Sequence, residues 1–251
     1  LVSWARRCVQ ETGEELRSRL APKDRRCFAF FHPAMQDEPI IFVEVALMKN
    51  IPSKIQDVLE EKRDFLEPDE AIVAVFYSIS NCQKGLSGIS FGNFLIKQVA
   101  NAIRTDYPNI KDFVILSPVP GFMNWLELNN NEIFKNIDNG EFINETDEYK
   151  DDILKNSLDY FFNSERSDKL PNDSVARFHL GNGAYLHRIN FLGDLSNKAL
   201  NSAAGLMVNY KYDLDKIEEN HEEFFKEKNI ICSNEIQLMK KNYHKKKLKF
   251  G

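Results

Sequence analysis

Residues 71–118 read "AIVAVFYSISNCQKGLSGISFGNFLIKQVANAIRTDYPNIKDFVILSP", and the punctuation of this stretch decides the fold class. Residues 71–79 are a near-continuous apolar run, the pattern of a strand buried on both faces. Gly85, Gly88 and Gly92 then crowd a loop. The loop feeds a segment in which Phe91, Leu95, Val99, Ala102 and Ile103 recur at helical spacing until Pro108 closes it. "FVILS" supplies the next strand. Residues 71–117 therefore predict a strand–loop–helix–strand unit, the crossover that joins parallel strands, and with it an α/β class.

The flanks extend this unit. "RCFAFFH" and "PIIFVEVAL" are aromatic and β-branched runs that predict an antiparallel hairpin through "PAMQDE". "KNIPSKIQDVLEEK" predicts a short surface helix with Pro52 near its first turn. Residues 3–20 have helical spacing and end at Pro22. Beyond the unit, residues 127–160 carry ten acidic residues against three lysines, which predicts a polar, partly helical surface insertion. "ARFHLGNGAYLHRINF" alternates as a strand broken at Gly181-Asn182-Gly183, and "LMVNYKY" reads as a last strand. "SNKALNSAAG" predicts a short helix ended by Gly205. Residues 215–228 and 233–246 predict exposed terminal helices.

Composition narrows the function classes. The 251 residues are 43% hydrophobic and 28% charged, ordinary for a globular protein, and suffice for one large core or two modest domains. A net charge of −5 argues against a general nucleic-acid binder, which needs a basic face. No apolar run approaches the roughly 20 residues of a membrane span. Cys8, Cys27, Cys82 and Cys232 are scattered, without metal-ligand spacing, and read as reduced thiols. No targeting segment is visible, so the simplest expected location is cytoplasmic.

Three features carry possible chemistry. The glycine-rich loop ahead of a helix offers backbone N–H groups and a positive dipole end to a phosphate, with Lys84 adding charge. Its spacing matches neither a dinucleotide GxGxxG nor a P-loop. Ser117 stops a strand before two prolines and a glycine; Ser-Pro also starts ordinary turns, and no GxSxG surrounds it. His179, if on a strand, shares a face with Arg177 opposite Phe178 and Leu180, and so fits core filling less well than a histidine on the apolar face, though a lone histidine is by itself a weak signal of function. His221 and His244 are expected to face solvent. Asn182, Asn209, Tyr210 and Tyr212 either line a pocket or satisfy backbone. The residues alone stop at an α/β domain with a possible phosphate-bearing ligand.

Five segments in order resemble the malonyl-CoA decarboxylases: "RRCFAFFHPAMQDEPIIFVEVAL", "FYSISNCQKGLSGISFGNFLIK", "LSPVPGFMNWL", "FHLGNGAYLHRINFLGDLS" and "GLMVNYKYDLDKIEENH". They cover most of residues 25–221. The resemblance implies a twisted mixed sheet flanked by helices, of the GCN5-related N-acetyltransferase fold. Residues 23–251 would form the catalytic domain, with 127–170 as the acidic insertion and 1–22 as a remnant or linker of a helical domain. The implied reaction converts malonyl-CoA to acetyl-CoA and CO2, in malonyl-CoA and fatty-acid metabolism, without metal or organic cofactor. Coenzyme A is part of the substrate. The implied catalytic residues are Ser117 and His179, the latter as an imidazole near its ordinary pKa of about 6.5 that gives a proton to carbon. The implied CoA-contacting residues are Ser87, Gly88, Ile89, Ser90, Phe91, Gly92 and Asn93, with Lys84 and, near the pocket, Tyr212. Ser90 departs from the family, which usually has an acidic residue there. The implied partners are malonyl-CoA and acetyl-CoA, with no nucleic acid or membrane, and a homo-oligomer of the full-length protein. A CoA-dependent N-acetyltransferase and a degenerate CoA-binding module are the competing expectations.

Overall fold

The computed structural model describes residues 21–32, 34–60, 63–82, 92–138, 143, 146–164 and 166–250. Six strands form one mixed sheet in the order β1-β2-β3-β4-β6-β5. β1 (Arg25–His32) and β2 (Met35–Met48) pair antiparallel, as do β2 and β3 (Val73–Asn81). The hairpin is longer than its sequence predicts, because β2 begins at Met35 and takes in most of the expected turn. β3 runs parallel to β4 (Asp112–Pro118), with Val73 opposite Asp112 and Phe76 opposite Ile115.

Helix α2 (Gly92–Asp106) makes the crossover between these parallel strands, as the glycine and proline punctuation predicts. It buries Leu95, Ile96, Val99, Ala100 and Ile103. Ala102 is exposed, because the buried stripe passes from Ile96 through Ala100 to Ile103. Ahead of it, α1 (Gln56–Leu59) is a single turn, and Pro52 lies outside it. The expected helix starts late because the Ile55 N–H donates to the Gly193 carbonyl at 2.8 Å instead of opening a helix.

The chain divides into two compact units, Leu1–Pro52 with Gln56–Ile115, and Ser53–Ile55 with Leu116–Gly251. The second holds α3 (Phe122–Asn129), α4 (Asn131–Asp138), α5 (Thr146–Phe162), α6 (Ser174–Gly181), β5 (Tyr185–Asn190), α7 (Asn197–Ala203), β6 (Met207–Tyr212), α8 (Ile217–Glu222), a π-helical turn (Glu223–Glu227) and α9 (Asn234–Phe250). β5 pairs antiparallel with β6. Its outer edge is covered: Leu186 N–H donates to Ile231, and Ser233 N–H to Leu186, each at 2.9 Å.

Two surface expectations are corrected here. The acidic 127–160 segment buries Ile137, Ile153, Leu158 and Tyr160, so its helices are part of the core of the second unit. Among the described residues its charged side chains are exposed or half-buried, and the overall acidity hid the apolar stripe. The terminal helices likewise bury Ile217, Phe224 and Ile236. Among the described residues no helix is long and apolar enough to cross a membrane.

Candidate active site

His179 stands on a helix, not on a strand. Asp173 caps α6, its carboxylate accepting from the Ala176 N–H at 2.7 Å. At the other end Gly183 has φ +83°, and a Cβ there would lie 2.3 Å from the Ile217 carbonyl oxygen, so only glycine fits. Between these signals a helix satisfies backbone groups that an isolated strand would leave open. The helical period buries Ala176, His179 and Leu180 together, so His179 shares a face with Leu180 instead of opposing it. Arg177 turns away and donates from Nη1 to the Pro171 and Asn172 carbonyls, both at 2.7 Å. The alternation of "RFHL" was the misleading signal; the Asp cap and the closing glycines were the correct ones.

Ser117 lies near the end of β4 and is 6% exposed. Its Oγ is 3.1 Å from His179 Nε2. His179 Nδ1 is 3.0 Å from the Tyr212 hydroxyl. Tyr210, two residues earlier on the same face of β6, lays its ring 4.8 Å from the imidazole at 30°. Serine, histidine and tyrosine thus form one buried hydrogen-bonded chain.

A second set of contacts fixes the spacing of this chain. Gly121 follows Ser117 in the turn to α3, and a Cβ there would lie 2.5 Å from the Tyr160 hydroxyl oxygen. The absent side chain admits that hydroxyl, which donates to Asp173 at 3.1 Å. Tyr160 therefore ties the serine-bearing turn to the cap of the histidine-bearing helix. At the far end of α6, His221 Nδ1 donates to the Gly181 carbonyl at 2.6 Å and Asn220 Nδ2 to the Gly183 carbonyl at 3.1 Å. His221 is half-buried, which corrects its expected solvent-facing place. Tyr160, Asp173 and Asn220 escaped the sequence reading because each acts through a partner far away in the chain.

The electrostatics differ from expectation. Burial pushes the His179 pKa down to about 3, so the free site holds a neutral imidazole at physiological pH, not a readily transferable charged proton. Burial also raises Tyr212, which stays a neutral phenol. Among the described residues no carboxylate hydrogen-bonds to His179. Two proton arrangements satisfy the chain. In one, Tyr212 donates to Nδ1 and Nε2–H donates to Ser117, leaving the serine proton for a substrate. In the other, Nδ1–H donates to Tyr212 and Nε2 accepts from Ser117.

The expected CoA contacts are placed unequally. Lys84, Ser87, Gly88, Ile89, Ser90 and Phe91 lie outside the described residues. Gly92 and Asn93 open α2. Tyr212 lies beside His179, within the same hydrogen-bonded chain. Asn209 is buried and accepts from Asn190 Nδ2 at 2.8 Å, a structural bond within the β5–β6 pair.

Comparison with known proteins agrees with this architecture. The family model of the malonyl-CoA decarboxylase C-terminal domain matches residues 8–249. A mitochondrial malonyl-CoA decarboxylase of Anser anser anser is 35% identical over 260 residues, covering 88% of this chain and 51% of the relative. The crystal structure of malonyl-CoA decarboxylase from Rhodopseudomonas palustris has a TM-score of 0.86 and 42% identity, over 94% of this chain and 59% of that one. The chain thus spans about half the length of the curated relatives it matches. At 17% identity, the GphF GNAT-like decarboxylase in complex with isobutyryl-CoA has a TM-score of 0.52 over 80% of this chain and 84% of that one, a likeness of fold alone. The mixed sheet with its helices is a GCN5-related N-acetyltransferase-like fold, and the chain belongs to the malonyl-CoA decarboxylase C-terminal domain family.

Proposed function

We propose that the chain decarboxylates malonyl-CoA to acetyl-CoA and CO2, with Ser117 and His179 as the reacting pair, Tyr212 behind them, and no metal. The observation that carries this reading is the buried, uncharged Ser117–His179–Tyr212 chain in a member of this family. Lys84 and residues 87–93 (Ser87, Gly88, Ile89, Ser90, Phe91, Gly92, Asn93) would hold the CoA portion. That role is supported by the N-terminus of the 15-residue α2 at Gly92.

The reaction makes two demands. The bond between the carboxylate and C2 must break with its electrons flowing into the thioester carbonyl, and the resulting enolate must gain a proton at C2. The Ser117 hydroxyl meets the first by donating to the malonyl carboxylate and turning the breaking bond toward the thioester π system. A carboxylate taken into a buried site, with no cation among the described residues bonded to Ser117, His179 or Tyr212, loses its hydration, and departure as neutral CO2 relieves that cost. The same carboxylate, lying beside the ring, raises the imidazole's affinity for a proton, which burial alone holds low. His179, through Ser117 or directly, then delivers this proton to C2. The balance is malonyl-CoA plus one proton giving acetyl-CoA plus CO2.

The test is to incubate the chain with malonyl-CoA in D2O, with and without excess chelator, and to follow acetyl-CoA by mass spectrometry. Turnover unaffected by chelator, with one deuterium in the new methyl group, is the expected outcome. Ser117→Ala should lower kcat by about 10²–10⁴-fold. Chelator-sensitive turnover would overturn the metal-free chemistry, and undiminished turnover in Ser117→Ala would overturn the serine's role.

A further inference from the structure

Among the described residues, three aromatic rings lie close to the His179 imidazole, and they meet it in different ways. Phe178 and Tyr212 stand across it, at 82° and 80°, with centroids 5.0 and 6.4 Å away. Tyr210 lies along it, within 30° of parallel and 4.8 Å away, so its face covers the imidazole. β6 sets this up: residues two apart project on one side of a strand, and Tyr210 and Tyr212 are 1% and 2% exposed there. The hydrogen bonds to Ser117 and Tyr212 use the two nitrogens at the edge of the imidazole and leave its faces for packing.

The titratable and charged groups around the ring are engaged elsewhere or neutral. On its own helix, Asp173 accepts from the Ala176 N–H and from the Tyr160 hydroxyl of α5, and Arg177 donates to the Pro171 and Asn172 carbonyls. On α8, His221 donates to the Gly181 carbonyl. Tyr212 on β6 stays a neutral phenol. Among the described residues, burial is the cause that lowers the His179 pKa, and none of these groups shifts it as a charge.

A π face distinguishes the two protonation states of the imidazole. It carries negative potential, which attracts a cation within about 6 Å of the ring centroid, most strongly where water is excluded, and does far less for a neutral ring. At 4.8 Å the Tyr210 face is already within that range in the resting site, and it need not move when a proton arrives. Its effect therefore enters with the imidazolium, the state that gives a proton to C2, and favours the reacting complex over the resting one.

We propose that the face of Tyr210 holds the positive charge of His179 during the reaction, so that Tyr210 is a positioning residue that acts through the imidazole and not on the substrate. This inference rests on the reading of His179 as the proton carrier in decarboxylation.

The test is the pH profile of kcat for malonyl-CoA, which reports the substrate complex. In the wild type kcat should fall as pH rises through the pKa of His179 in that complex, because the protonated imidazole is the reacting form. Losing the face weakens the charged form, so this limb should move to lower pH. Tyr210→Phe keeps the face and should leave the limb in place. Pentafluorophenylalanine at position 210 keeps the shape of phenylalanine but reverses the quadrupole of the ring. It should move the limb down by about one pH unit and lower kcat above it by about tenfold, with KM little changed. Tyr210→Leu should move the limb the same way, though it also changes the packing. Urea denaturation should not separate the phenylalanine and fluorinated forms, so a difference in their limbs would not reflect folding. A limb unmoved by fluorination, or moved equally by Tyr210→Phe, would overturn the proposal. A wild type that forms no acetyl-CoA would overturn the decarboxylation reading and this inference with it, an outcome distinct from an active wild type whose limb ignores fluorination.

Discussion

The two units bury polar side chains in opposite ways. In the first, Asp24 and Arg25 are 2% and 5% exposed and satisfy each other as ions. Asp24 Oδ1 lies 2.7 Å from Arg63 Nη2 and 3.2 Å from Arg25 Nη1, its other oxygen accepts from the Leu66 N–H, and Arg25 donates to the Val58 carbonyl. In the second, His179 is equally buried but neutral, and among the described residues it bonds to two hydroxyl groups. The first cluster is closed: every charge has a partner, and it pins β1 to the segments beside it. The second is open in the electrostatic sense, because an anion placed beside its neutral ring would raise the ring's affinity for a proton. Burial alone does not distinguish the two clusters; the state of their charges does.

Substitutions in each cluster should therefore fail differently. His179→Gln should lower kcat for acetyl-CoA formation by about 10²–10⁴-fold while urea denaturation stays close to wild type. A fully active variant would erase the distinction. Asp24→Ala should do the reverse, costing about 3–5 kcal/mol by leaving buried Arg25 unpaired. The check is urea denaturation beside kcat measured on the folded fraction. A large loss of kcat at unchanged stability would place Asp24 on the wrong side of the comparison.

Acidification should sharpen the contrast. The folded His179 pKa of about 3 lies below the ordinary value of about 6.5, so the unfolded chain takes up this proton first as pH falls. The resulting stability is fully present above pH 6.5 and declines as pH drops toward 3, by up to about 1.4 kcal/mol per pH unit. Subtracting the pH dependence of His179→Gln isolates this slope from the carboxylates, and identical curves would contradict a buried neutral ring. The kcat/KM profile, which reports the free enzyme, should show no histidine limb between about pH 5 and 8. The smallest effect is expected at Tyr212→Phe. Loss of one buried hydrogen bond worth about 0.5–1.5 kcal/mol should reduce kcat by up to about tenfold with KM little changed. An unaltered kcat would remove the tyrosine from the chain.

The outline of the fold was legible in local patterns. The β3–α2–β4 crossover follows from an apolar run, clustered glycines and a closing proline, all signals that act within a few residues. α6 was not legible by period alone. Four alternating residues fit a strand as well as a short helix, and Asp173 and Gly183 decide the matter through bonds to the backbone. The acidic segment misled for a related reason: composition counts charges and is blind to the side of the helix on which they fall.

By themselves, the residues determined the chemical types present: a hydroxyl at a strand end, an imidazole near glycines, a phenol in the last strand. Resemblance to a family then pointed to Ser117, His179 and Tyr212, three residues that the structure joins by hydrogen bonds. Their meeting is a tertiary event. Ser117 and His179 are 62 positions apart, and His179 and Tyr212 are 33 apart. They meet because β4 and β6 are neighbours in the strand order while α6, capped by Asp173 and tied by Tyr160, packs against them. The neutral state of the imidazole was decided there too. Desolvation depends on everything that surrounds a side chain, and no run of neighbouring residues records that.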